Sequence, residues 1–426
     1  MTTWLRIVLF AAGGYVAGVV LAAPDADTHP MVAGFGPGSV LTSATAASAL
    51  GAIVAALVAA GTRHRTPTIV AVVAGALAVG VVALPGAWRF DMYIATIGAG
   101  ALLGGLVVTC FGMRRARLQV VLVGAVVAGL VTAEPITEFR DFTSMPRRYA
   151  DYVPVGTQLV NTVWLVLAAI TLVAGVSTWV VGRGDDVPVD ERRGSGRELL
   201  IGIGLPLIGV GLHWSLENAV ASLSAERPEA GRWVLGIVAV AVVIAAALLL
   251  RERSGMVLLA AMALAVVGRE AVSWSPEVWP LLLVPILLAG VGAWLGRRTP
   301  RPLVGIGVLA VVVASSIVGS SPWDTVHIAA TLFVVPVAAA YTIVATLPST
   351  TTVTTTALAL PAVMVLPLVA HFGWTDYTPL THDPDGWSPN SWASVSSMVS
   401  VTALLALGAA MAWIQYRRPT GVRRTK

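Results

Sequence analysis

A chain of 426 residues with 57% apolar and 12% charged residues cannot clothe a water-soluble surface, for which about 25% charge is usual. The same hydrophobicity excludes a disordered chain, the aperiodic spacing of the glycines excludes collagen, and a single cysteine excludes a disulfide scaffold. The composition is that of an all-α polytopic integral membrane protein, so the net charge of +5 is read against lipid headgroups and not against nucleic acid.

A membrane-crossing helix needs about 20 mostly apolar residues. In chain order such runs fall at 4–23, 38–60, 67–85, 91–112, 118–134, 158–181, 199–221, 232–250, 255–273, 279–296, 303–320, 325–346, 354–372 and 393–415, about fourteen transmembrane helices in all. The first also has the make-up of a signal peptide, with Arg6, an apolar run and a small-residue end. Its run is long for the roughly 7–15 residues of a cleaved signal, which favours a retained helix. Gly14/Gly18 in the first span and Gly100/Gly104 in the fourth are small-xxx-small pairs that permit close helix approach. Cys110 is read as a packing residue. The seventh run carries Gly202, Gly204, Pro206, Gly209 and Gly211 and is expected to be interrupted, because proline removes a backbone hydrogen bond. Pro285, Pro336, Pro361 and Pro367 in later spans are read as the prolines common in membrane helices.

Charge orients the chain. With the N-terminus placed in the cytoplasm and the spans alternating, twenty of the 27 basic residues fall on the cytoplasmic side and sixteen of the 22 acidic residues on the other. This is the positive-inside distribution, and it places the C-terminus in the cytoplasm too. The polar segment 182–198 (GRGDDVPVDERRGSGRE) is the longest inner loop. It divides a six-helix block, 1–181, from an eight-helix block, 199–415, ahead of a basic cytoplasmic tail, 416–426. Nine of the 14 tryptophans and five of the six histidines collect at the outer boundary. The outer tips SWSPEVW (273–279) and GWSPNSW (386–392) match each other. Two readings account for the match: a trace of duplication, or the preference of Trp, Ser and Pro for membrane interfaces.

Charge inside the bilayer costs at least about 2.5–3.5 kcal/mol per group and so points to a pathway. Arg269 and Glu270, in the outer quarter of the ninth span, are the nearest case. Adjacent residues do not face each other on a helix, so each needs its own partner, as a gate or as headgroup-level anchors. Asp91, His213 and Glu217 are border cases of the same kind. Gly204, Pro206 and Gly209 are pathway candidates because freed backbone groups of broken helices bind ligands. On the outer face, Asp25, Asp27, Trp274, Trp323, Asp324, His327, Trp374 and Asp376 combine acids with aromatic rings, a mixture suited to stacking a sugar or headgroup while carboxylates take its hydroxyls. No HExxH, no glycine-rich phosphate loop with lysine (the only lysine is Lys426) and no nucleophile elbow occurs. No metal, no cofactor, no catalytic residue and no ATP-driven cycle is therefore expected of this chain.

Inward termini, an even span count and a polar central loop resemble the major facilitator superfamily, above all its fourteen-span exporters. The resemblance is topological and runs the whole chain. At the second-to-third span turn, GTRHRTP (61–67) lacks the Asp of the family's loop. Arg89 precedes Gly98 and Gly100 by more than the family's span-four spacing, and GAVVAGLVTAEP (124–135) only echoes its span-five glycine–proline signature. The resemblance implies a secondary transporter or flippase for a small molecule or lipid-linked precursor. The second reading is an outward-facing membrane enzyme or assembly factor of cell-envelope glycan or lipid synthesis. Asp25 and Asp27 resemble the paired acids of polyprenyl-phosphate-sugar glycosyltransferases. A third is a noncatalytic subunit with membrane-complex partners. The alanine-, valine- and arginine-rich, lysine-poor composition suits a GC-rich bacterium and its inner membrane.

Overall fold

The computed structural model describes residues 2–22, 44–62, 65–84, 90–112, 116–144, 162–181, 196–222, 232–250, 253–270, 278–318, 322–347 and 389–418. Every regular element among them is helical. This follows from the solvent: hydrocarbon offers no partner to backbone N–H and C=O groups, so each segment must satisfy them within itself. Thirteen helices result among the described residues: α1 (Thr2–Ala22), α2 (Ala44–Gly61), α3 (Arg65–Val82), α4 (Asp91–Gly112), α5 (Ala116–Ser144), α6 (Thr162–Val181), α7 (Gly196–Ser222), α8 (Arg232–Leu249), α9 (Gly255–Glu270), α10 (Leu283–Arg298), α11 (Pro302–Ala314), α12 (Trp323–Thr346) and α13 (Pro389–Arg417). A short 3₁₀ turn, Trp279–Leu282, leads into α10, and another, Ser315–Ile317, ends α11. Each helix overlaps one of the expected apolar runs, and the run 354–372 lies outside the described residues. Among the described residues, eight of the helices are long and apolar enough to cross a membrane on length and composition; α3, α6, α8, α9 and α11 each contribute an apolar stretch of 10–17 residues.

Two boundaries depart from expectation. The seventh run is not interrupted: α7 continues through Pro206 as one 27-residue helix. A single missing N–H is tolerated in a membrane helix when neighbouring groups satisfy the freed carbonyl. Helix α5, expected to end near residue 134, continues through Pro135 to Ser144, taking the first part of the supposed outer loop into helix.

The helices form two groups. In the first, α4 packs on α1, α2, α3 and α5, and α1 packs on α5 and α6. In the second, α9 packs on α8, α11, α12 and α13, with α12 also holding α10 and α11. The groups meet along two seams: α5 lies against α10 and α12, and α7 bridges α2 to α8. Between residues 256 and 267, α9 is buried on every face by apolar neighbours, which makes it the axis of the second group.

Lipid chains are as apolar as leucine, so association rests on close packing rather than on a hydrophobic drive. Small residues supply it. Gly14 and Gly18 of α1 face Leu122, Ala125 and Val126 of α5, and Gly129 of α5 faces Tyr15 and Val19 of α1. Gly100 and Gly104 of α4 lie against the carbonyls of Gly51 and Ala55 in α2. In the second group, Gly292 and Gly296 of α10 press on the backbone of α12 at Val337 and Tyr341. Polar side chains are neutralised locally. The hydroxyls of Thr96, Thr109, Thr132, Thr171 and Thr342 each donate to the carbonyl four residues back, at 2.5–2.9 Å. Tyr15 OH adds a polar link between α1 and α5, 3.0 Å from Thr132 Oγ1.

A β-branched side chain at Gly100 would drive into the Gly51 carbonyl, which belongs to a rigid backbone. Gly100→Val is therefore expected to cost at least the roughly 1–3 kcal/mol of overpacking. Gly204→Ala, where an added methyl meets nothing within 4 Å, is expected to leave stability unchanged. Thermal unfolding of the purified variants in detergent checks both; equal midpoints for the two would refute this account of the α2–α4 contact.

Candidate functional site

Helix α7 sorts its residues onto two faces. Ile201, Gly202, Leu205, Pro206, Gly209 and His213 are buried, as is Glu198 in the first turn, while Leu200, Leu207, Ile208, Gly211 and Trp214 are exposed. The buried set recurs at three- and four-residue spacing and forms one stripe. It runs about 22 Å between Glu198 and His213 at 1.5 Å per residue, through Pro206 and Gly209. Glu198 is 2% and His213 3% exposed. Of the five α7 residues expected to line a pathway, Pro206, Gly209 and His213 thus share the inward face, Gly204 stands off it with nothing described within 4 Å of an added Cβ, and Glu217 lies further along the helix. The facing wall of α2 is alanine-rich: Ala49 and Ala52 form a small apolar cluster with Val210. Elsewhere α2 buries Thr45 and Ser48, the latter donating to Leu21 O of α1 at 2.9 Å.

In the sequence Glu198 reads as the end of the polar loop 182–198. The available signal was its register: Glu198, Gly202, Leu205 and Gly209 keep one helical face, so a carboxylate starting that stripe is carried inward.

A second polar locus lies where α11 ends. The 3₁₀ turn Ser315–Ile317 leaves terminal carbonyls without helical partners, and serines take them. Ser315 Oγ donates to Val312 O at 2.6 Å, and Ser316 Oγ donates to Val313 O at 2.7 Å. His327 of α12, 7% exposed, brings Nδ1 to 2.9 Å from Ser315 Oγ and 3.2 Å from Val312 O. A carbonyl can only accept, so Nδ1 carries the proton and donates to both. Ser316 Oγ also lies 2.7 Å from Ser397 Oγ of α13. The end of α11 is thereby joined to α12 and α13 by hydroxyls and one imidazole. His327 was expected at this boundary, whereas Ser315, Ser316 and Ser397 were not, since serine carries no distinguishing pattern in a membrane sequence.

The other site residues are distributed as follows. Asp91 opens α4 and is half-buried. Trp323 and Asp324 are exposed in the first turn of α12, where the carboxylate suits the positive end of the helix dipole. Glu217 lies in the last turns of α7, and Arg269 and Glu270 close α9. Asp25, Asp27, Trp274, Trp374 and Asp376 lie outside the described residues. Among the described residues no group of three His, Cys, Asp or Glu could hold a metal ion. The arrangement is suited to binding and positioning polar groups.

At the arginine-bearing end, two guanidiniums cross-brace the second group. Arg253 donates to Arg418 O (2.7 Å) and Gln415 O (3.2 Å), while Arg418 donates to Leu250 O (2.5 Å) and Leu248 O (2.8 Å). Each cation thus caps the carbonyl end of the other's neighbouring helix, where the helix dipole favours positive charge.

No protein-family model and no curated protein matches the chain. Among solved structures it is similar to the major facilitator superfamily proton:xylose symporter XylE of E. coli, bound to 6-bromo-6-deoxy-D-glucose. The TM-score is 0.51 and the identity 13%, over 97% of this chain and 95% of that one. A POT family transporter in complex with 5-aminolevulinic acid scores 0.49 at 13% identity (97% and 96% covered). A bacterial homologue of the human drug peptide transporters PepT1 and PepT2 scores 0.48 at 12% (97% and 96%). The match to the symporter, extending over nearly the whole of both chains, shows that this multi-pass membrane protein has a fold like that of the major facilitator superfamily.

The His327–Ser315 link invites a double-mutant cycle. Removing either partner with His327→Leu or Ser315→Ala is expected to lower stability, with a coupling near 0.6 and at most about 1.7 kcal/mol, the range of buried hydrogen bonds between membrane helices. Unfolding in bicelles measures it, and strictly additive effects would show that the two groups do not bond.

Proposed function

We propose that the chain is a secondary transporter that moves a small molecule, or a lipid-linked precursor, across the inner membrane of a bacterium. The observation that carries this reading is the fold: the helices are arranged over almost their full length as in a solved secondary transporter. The chain has no phosphate-binding loop, so the reading assigns the driving force to a gradient and not to nucleotide hydrolysis. The proposed topology has about fourteen spans, with both termini in the cytoplasm, a block 1–181, a cytoplasmic linker 182–198, a block 199–415 and a tail 416–426. The arginine asymmetry supports it.

In this reading the two helix groups rock against each other about the seams α5–α10/α12 and α2–α7–α8. Alternating access requires such seams, with a binding region between the groups. The α7 stripe lies on the second seam and supplies the buried polar groups, Glu198 and His213, beside Pro206 and Gly209. Asp91 and Glu217 belong to the same proposed pathway, and Arg269 and Glu270 form its outer gate. Asp25, Asp27, Trp274, Trp323, Asp324, His327, Trp374 and Asp376 form the outer face that cargo first meets.

Flux into proteoliposomes tests the assignment, with pentoses and small peptides, the cargo classes of the solved neighbours, as first probes. Arg269→Ala and Glu270→Ala are expected to abolish uptake while the protein inserts normally; unimpaired flux in both would remove the gate. Sidedness is read separately in a Cys110→Ser background. An impermeant maleimide applied to intact spheroplasts is expected to label a cysteine placed at Ser275 and to spare one at Thr420. The reverse pattern would invert the topology.

A further inference from the structure

The turn joining α10 to α11 reads Arg297-Arg298-Thr299-Pro300-Arg301, and all three arginines are exposed. Exposed arginines are ordinarily mobile, but these sit on a braced frame. Tyr341 of α12 donates its hydroxyl to Thr299 O at 2.7 Å, with Arg301 O at 3.4 Å. The Arg298 guanidinium lies 4.1 Å from the centre of the Trp294 ring, a cation–π contact that holds its donor fork in place. From Leu283 to Thr346, the only acidic side chain is Asp324, in the first turn of α12 and so at the far end of that helix from Tyr341. The cations of this turn therefore meet no carboxylate along the helices that carry them. Arg253 and Arg418, by contrast, have guanidinium N–H groups committed to helix-end carbonyls.

What flanks the turn distinguishes a lipid from a soluble anion. Back from Arg298 along α10, Trp294, Val291 and Leu287 stand on one face and are exposed, Leu287 by 68%. Forward from Arg301 along α11, Val304, Val308 and Val311 do the same, Val311 by 70%. Among the described residues nothing lies within 4 Å of where a Cβ would stand at Gly290 and Gly307, so no described helix covers either flank at those positions. The two helices pack on α12 rather than on each other. A ligand satisfying all of this has a phosphate at one end and long apolar chains at the other.

We propose that this turn is a binding site for one anionic phospholipid, with the phosphodiester held by Arg297, Arg298 and Arg301 and the acyl chains lying along the exposed flanks of α10 and α11. Guanidinium forks match phosphate oxygens in geometry as well as charge, and Trp294, half-exposed one turn back from Arg298, is of the residue type that settles where headgroup gives way to acyl chain. The site is independent of what the chain transports.

The test uses full-length protein, delipidated in detergent and mixed with equal amounts of phosphatidylglycerol and phosphatidylcholine, with retained lipid read by native mass spectrometry. Wild type is expected to retain phosphatidylglycerol over phosphatidylcholine by about tenfold or more. Each basic group near a lipid surface contributes about a fivefold preference, so the variant R297Q/R298Q/R301Q is expected to lose on the order of a hundredfold in affinity for phosphatidylglycerol. Removing equal charge from the tail, R423Q/R424Q/K426Q, is expected to change it little. The single substitutions R298Q and R301Q, each expected to lose about fivefold, carry the same reading should the triple variant not fold. Equal retention of the two lipids by wild type, an unaffected turn variant, or an equal loss in the tail variant would overturn the site. Displacement of the lipid by millimolar glycerol phosphate would overturn the lipid and leave a soluble phosphate as the ligand.

Discussion

The constraint from which the structure follows is that hydrocarbon solvates no backbone. Every N–H and C=O in the apolar layer must find its partner inside the protein, and a helix does so within one segment. Threonine hydroxyls return to their own carbonyls in α4, α5, α6 and α12 for the same reason: a side-chain donor left over in lipid costs as much as a backbone one. Where α11 stops short in a 3₁₀ turn, its end carbonyls are taken at once by Ser315, Ser316 and His327.

The second consequence concerns cohesion. With lipid no less apolar than the helix surfaces, specificity of pairing passes to shape, and glycine sets the shape. The α1–α5, α2–α4 and α10–α12 contacts all form where a Cβ would collide with a neighbouring main chain. Glycines whose added Cβ would meet nothing among the described residues, such as Gly204 and Gly211 of α7, mark faces that no described helix covers. The distribution of tight and open glycines thus separates the packed interior of each helix group from its lipid-facing rim.

Polar groups are few in such a chain, so each buried one stands out. Glu198 and His213 lie on one stripe of α7, the helix that joins the two groups on one side, whereas α9, the centre of the second group, is apolar throughout its buried length. Among the described residues, buried carboxylate and imidazole groups therefore collect at the seam between groups and near a helix end. An alternating-access reading needs polar groups at the seam, and a phospholipid site at the α10–α11 turn draws on them at a helix end.

The helical class, the position of each described helix and the packing role of Gly14/Gly18 and Gly100/Gly104 were legible in the amino-acid order, because hydropathy and small-residue spacing are one-dimensional properties. The continuity of α7 through Pro206 was not, since the breaking tendency of proline is local while its tolerance depends on neighbours from other helices. The inward aim of Glu198 was readable in principle from its helical register and was obscured by the charged loop beside it. The pairing of α5 with α10, the bridge made by α7, the His327–Ser315–Ser316–Ser397 contacts and the Arg253–Arg418 brace join residues up to 170 positions apart. Composition and periodicity determine that a segment must be a helix in lipid. Which helix it meets, and which few polar atoms that meeting brings together, is decided only when surfaces of matching shape close on one another in three dimensions.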